Sequence, residues 1–99
     1  MPSLIILYWR DIPAQVIAKA GRTTARRELP KRFIEAIDRC AMRSKATGTQ
    51  DYLEEWRRGE AQPCGDDLEA AVDAAAATLE AGFDASRLDA LVNAQGRAG

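Results

Sequence analysis

The first apolar run, Leu4-Ile5-Ile6-Leu7-Tyr8-Trp9, is continuous rather than alternating, rich in strand-forming side chains and without a helix cap. It predicts a strand buried on both faces. Arg10-Asp11-Ile12-Pro13 interrupts the run, and Ala14 to Ala20 follows as a second extended segment that ends at Gly21. So short a connection predicts an antiparallel hairpin, because a parallel pair needs a crossover of about a dozen residues. Gly21 to Glu28 reads as a basic connection.

The period then lengthens. Pro30 suits the first turn of a helix, and Phe33, Ile34, Ile37, Cys40, Ala41 and Ser44 recur at spacings of three and four, so residues 31 to 44 form an amphipathic helix with that stripe inward. Residues 51 to 58 stay open between two readings. Asp51 could cap a short helix burying Tyr52, Leu53 and Trp56, while aromatic content and alternating charge also allow a strand. A lone hairpin is marginal, so a third strand is expected between Tyr52 and Gly65. Asp66-Asp67 supplies a cap for a helix presenting Leu68, Ala71, Val72, Ala75 and Leu79 on one face, with Gly82 as its C′ residue. Asp84 or Ser86 caps a last short helix carrying Leu88, Leu91 and Val92 and ending at Gly96. The elements predict one α+β domain over residues 1–99: an antiparallel sheet of two to three strands with helices on one face, a β-β-α-β-α two-layer sandwich with an extra C-terminal helix.

Composition narrows the chemistry. The 99 residues include no His and two Cys, which removes the usual zinc sites and the Ser-His and Cys-His nucleophilic arrangements. No metal and no cofactor is expected. Cys40 and Cys64 are too few for a disulfide framework and suit a reducing cytoplasm. Met1 to Leu7 lacks a basic n-region, and its apolar run is too short to span a membrane, so neither export nor membrane insertion is expected. The net charge of −1 hides a split, with ten Lys/Arg against four Asp/Glu in residues 1–50 and four against eleven in residues 51–99. The halves complement each other within one domain or across a homodimer, and the acidic total disfavours nucleic acid.

Four blocks in order, Tyr8-Trp9-Arg10-Asp11-Ile12-Pro13-Ala14-Gln15-Val16, Leu29-Pro30-Lys31-Arg32-Phe33, Ile37-Asp38 with Ala41-Met42, and Tyr52-Leu53-Glu54-Glu55-Trp56-Arg57, resemble a family of small bacterial proteins catalogued as "virulence factor". The resemblance runs from residue 4 to about 58 and leaves out the acidic part from Glu60. It implies no reaction. Related domains fused to other modules imply an accessory or interaction role, and folate- and corrinoid-linked methyl-transfer enzymes are the partner class that the resemblance suggests.

Two residue groups are candidates. Trp9, Arg10, Trp56 and Arg57 put the only two Trp beside guanidinium groups, a composition that suits a partner interface as well as core packing. Arg22, Arg26, Arg27 and Arg32, with Lys19 and Lys31 nearby, could grip an anion such as a phosphate or a folate carboxylate; the alternative is pairing with the acidic second half. No Gly-rich phosphate loop accompanies them. Adjacent acids such as Glu54-Glu55 diverge and make no acid/base pair, and Cys40 reads as a core residue and Cys64 as an exposed one. No catalytic residue is assigned. The leading expectation is a non-catalytic cytoplasmic accessory protein of a bacterial enzyme system, then an anion-binding module or subunit in one-carbon metabolism, and third a self-sufficient enzyme.

Overall fold

A computed structural model describes residues 2–43 and 48–96. Strands β1 (Ser3–Trp9), β2 (Ile12–Ala20) and β3 (Thr23–Glu28) are followed by helices α1 (Lys31–Arg43) and α2 (Thr49–Glu54). Short strands β4 (Trp56–Arg58) and β5 (Gln62–Pro63) come next, then α3 (Leu68–Gly82) and α4 (Ala85–Asn93). All strand pairs are antiparallel, in the order β3-β2-β1-β4, with β5 also on β1 beside Ser3 and Leu4.

The expected hairpin is present, and the strand expected between Tyr52 and Gly65 is β4 with β5. Five strands stand where two to three were expected, because Gly21 to Glu28 is not a connection: Thr23–Glu28 pairs with β2 along its whole length. Its sequence, Thr-Thr-Ala-Arg-Arg-Glu, hides this, since an edge strand places only Ala25 in the core. Residues 51 to 58 resolve into both readings, a short helix and then a strand. Asp51 lies inside α2, whose N-cap is Gly48.

Register sorts the side chains onto two faces, because strand partners point the same way. Leu4, Ala18 and Ala25 form one row, and Ile6, Val16 and Arg27 the next. Helix α3 covers this face, packing on β2 and β3 through buried Leu68, Val72 and Ala76. Asp67 caps it by accepting from the Ala70 N–H at 3.1 Å, and Asp84 does the same for α4 from Arg87 N–H at 2.8 Å. Gly82 is still helical; the cap residue is Phe83, whose N–H returns to the Leu79 carbonyl. Opposite lie the rows Ser3–Lys19–Thr24, Ile5–Ile17–Arg26 and Leu7–Gln15–Glu28. Every residue in them is half-buried or exposed. β1 is therefore not buried on both faces: only Trp9 is fully enclosed.

A bulge explains the change at that end. Leu7 pairs with Gln15 but Tyr8 with Pro13, leaving Ala14 as the extra residue. Pro13, which has no N–H for the ladder, sits at this irregularity. The bulge turns Ile12 away from the face of Val16 and onto that of Trp9, and both are 0 % exposed. α1 joins the core through Phe33, Ala36, Ile37, Cys40 and Ala41, while Ile34 is 41 % exposed and leaves the expected stripe; Ser44 lies outside the described residues. Leu53 likewise stays out, and Cys64 is half-buried against the core rather than exposed.

Candidate interaction surface

The string Trp9-Arg10-Asp11-Ile12 is a structural clamp. Trp9 Nε1–H donates to the Tyr52 carbonyl at 2.9 Å, and the two rings lie 5.6 Å apart. Arg10 holds the turn with a φ of 54°, unusual for a residue with a side chain. Its guanidinium meets Glu55 at 3.1 Å and the Gln95 carbonyl at 2.7 Å, and lies 4.9 Å from the Trp9 ring. Asp11 donates its N–H to the Gly96 carbonyl at 2.7 Å, and Gly96, at φ 78°, comes so close to Arg10 and Cys40 that a Cβ there would lie about 3 Å from both. Arg57 completes the clamp, with Nε–H on the Arg10 carbonyl, an Nη2 bond to Asp11 at 2.8 Å and its guanidinium over Tyr8. One turn thus ties the hairpin to β4 and to the end of α4.

This placement corrects the partner-contact expectation for Trp9. A side chain with no exposed surface cannot touch a partner of the folded domain. Arg10 and Arg57 are brought together, but chiefly to hold this turn. Trp56 is half-buried, pairs with Trp9 across β1 and β4, and lines a surface cavity of about 340 Å³ with Ala14, Gln15, Glu28, Leu29, Lys31 and Ile34. Tyr52 stands against it at 6.0 Å. Burial, and then the charge of Asp38, raise the Tyr52 phenol above its ordinary value of 10.0.

The four arginines do not converge. Arg27 pairs with Asp73 and, at 4.0 Å, with Glu69 on α3. Arg32 donates to the Glu80 and Phe83 carbonyls at the end of α3, where a cation complements the helix dipole. Arg27 makes the pairing with the acidic half that the sequence offered as the alternative, and Arg32 is engaged by backbone carbonyls of that half. Arg22 and Arg26 are exposed and make no hydrogen bond or ion pair among the described residues. Two residues join them: Lys19, which the sequence already set beside the arginine cluster, and Arg58, which it did not. Had Thr23–Glu28 been read as a strand, the period of two would have set Lys19 and Arg26 on one face. The place of Arg58 depends on its pairing with Leu7, which the sequence does not show.

Lys19, Arg26 and Arg58 stand on the uncovered sheet face and Arg22 at its turn end, around the half-buried aliphatics Ile5, Leu7 and Ile17. Every other Lys or Arg among the described residues has an intramolecular partner. A second concavity, about 420 Å³, lies beside the turn between Tyr8, Asp11, Arg57, Glu60 and Gln62 over Leu4 and Ile6. No group of His, Cys, Asp or Glu among the described residues is arranged to hold a metal ion, and no helix among them is long and apolar enough to cross a membrane.

These features define a small α+β domain with an antiparallel sheet roofed on one face and open on the other, its free cations on the open side. The chain belongs to the virulence factor family, whose model matches residues 7–92. The match takes in α3 and most of α4, so the acidic portion from Glu60, outside the blocks recognised in sequence, is part of the family domain. No curated protein and no solved structure matches the chain.

Proposed function

We propose that the domain is a non-catalytic interaction module, an accessory protein that binds a protein partner through the open face of its sheet. The observation that carries this reading is the segregation of charge. Lys19, Arg22, Arg26 and Arg58 alone lack partners among the described cations; Lys19, Arg26 and Arg58 flank Ile5, Leu7 and Ile17 on the open face, and Arg22 lies in the turn at its end. Apolar side chains ringed by unneutralised charge suit a protein interface, in which the centre is desolvated and the rim steers association. The cavity bordered by Trp56 and Ile34 continues this face past Gln15 and Glu28, and so keeps Trp56 as a contact.

A small anion is a poorer fit. Arg27 and Arg32 are already engaged, and Arg26 and Arg58 stand on β3 and β4, about 15 Å apart at the usual strand spacing. To share one phosphate or carboxylate, the two side chains would have to lean fully toward each other over Leu7 and Ile17. The partner class favoured by the family resemblance is a folate- or corrinoid-linked methyl-transfer enzyme in the cytoplasm. The test is purification from native cells, identification of the retained protein, and calorimetry of the purified pair with wild type and with Arg26→Glu/Arg58→Glu. Loss of binding by a variant that melts like wild type supports the reading; undiminished binding rejects it.

A further inference from the structure

The covered face of the sheet shows how an acidic helix docks on these strands. Leu68, Val72 and Ala76 of α3 pack on the side of Val16, Ala18 and Ala25, and at the margin Asp73 and Glu69 reach Arg27. Arg26 is the counterpart of Arg27 on the other face, one residue away and pointing oppositely, and it has no ion pair among the described residues. Ile17 stands there as Val16 stands beneath α3 on the same strand. From Ser3 to Leu7 the open face thus repeats features that receive α3, and nothing described covers these rows; only its Trp9–Ile12 end is closed.

We infer that this face docks an acidic amphipathic α-helix of the partner, laid across Ile5, Leu7 and Ile17 with carboxylates toward Lys19 and Arg26 on one side and Arg58 on the other. The inference rests on the interaction-module reading and adds the shape and charge of what is bound. Width agrees: the roughly 15 Å between the Arg26 and Arg58 strands admits a helix about 10–12 Å across. Charge agrees as well, since Glu28 is the one acid in the rows of the open face. Single-stranded nucleic acid fits less well. Its bases stack on aromatic platforms, whereas the centre here is aliphatic and the nearest aromatic, Trp56, lies at the cavity beyond.

The test uses the whole chain and three fluorescent probes: a stapled helical peptide with a leucine stripe flanked by glutamates, the same peptide with lysines for glutamates, and a single-stranded oligouridylate. The acidic helix is expected to bind, about tenfold or more weakly to Arg26→Glu/Arg58→Glu, and more weakly as salt rises. Ile5→Ser/Ile17→Ser should weaken it too, with thermal melts confirming that each variant is folded; should this pair unfold the domain, Leu7→Ser replaces it. Equal binding of the basic helix, tighter binding of the oligouridylate, or no binding of the acidic helix overturns the inference. If the native partner nevertheless loses affinity for the arginine variant, the interaction-module reading stands and only the helix is wrong. If the native partner is indifferent to it, both fall.

Discussion

Trp9→Ala should unfold much of what the domain has to spend. The indole is 0 % exposed, packs on Tyr52 and lies under the Arg10 guanidinium. Truncating a buried Trp to Ala removes transfer energy and leaves a cavity, together about 3 to 5 kcal/mol. The substitution also orphans the Tyr52 carbonyl that accepts from Nε1, adding about 1 kcal/mol. A domain of this size holds about 5 to 15 kcal/mol in all, and each kcal/mol moves its midpoint by about 4 to 8 °C, so a fall of at least about 12 °C is expected. Urea and thermal melts followed by far-ultraviolet circular dichroism measure it without relying on the lost fluorophore. Trp9→Phe, which keeps most of the volume and loses the donor, should fall between Ala and wild type. If Trp9→Ala melts within about 0.5 kcal/mol of wild type, a value ordinary for surface substitutions, the clamp does not hold the domain together.

Gly59→Ala places a Cβ 3.0 Å from the Tyr8 ring and 3.1 Å from the Ile6 carbonyl, to which Gly59 N–H also donates at 2.8 Å. Overpacking against backbone should cost about 1 to 3 kcal/mol in a urea melt, and a neutral result would show that the β4–β5 connection gives way freely. Tyr52 should ionise above 10.0, because burial and then Asp38 penalise the phenolate. Its raised value means that the stability it contributes is whole below pH 10, where the unfolded chain begins to ionise, and is lost as pH rises through the folded value. Asp38→Asn should move the phenolate absorbance midpoint downward, and an unmoved midpoint contradicts the assigned charge effect.

How much of this was legible in the sequence depends on where each signal originates. The hairpin, α1, α3 and α4 follow from local pattern and caps, and Asp67 and Asp84 act as their side chains suggest. The rare string Tyr-Trp-Arg-Asp-Ile-Pro marked an important place, but its composition looked like an interface while its geometry is internal. That distinction depends on Glu55, Gln95 and Gly96, which come from far along the chain. β3 was hidden because an edge strand beside a helix-covered face needs few apolar residues, and the open face was hidden with it. Neither Arg26 nor Arg27 looks different in sequence, yet adjacent strand positions send one to Asp73 and the other to solvent.

The central claim, that the open sheet face is the contact surface, is tested most directly by methyl NMR of the isoleucine, leucine and valine labelled domain titrated with its co-purified partner. Shifts and line broadening are expected at Ile5, Leu7 and Ile17, with Val16 beneath α3 and Val72 on α3 unchanged. Perturbations confined to the α3 side, or to the concavity over Leu4 and Ile6 with Ile5, Leu7 and Ile17 silent, would contradict it.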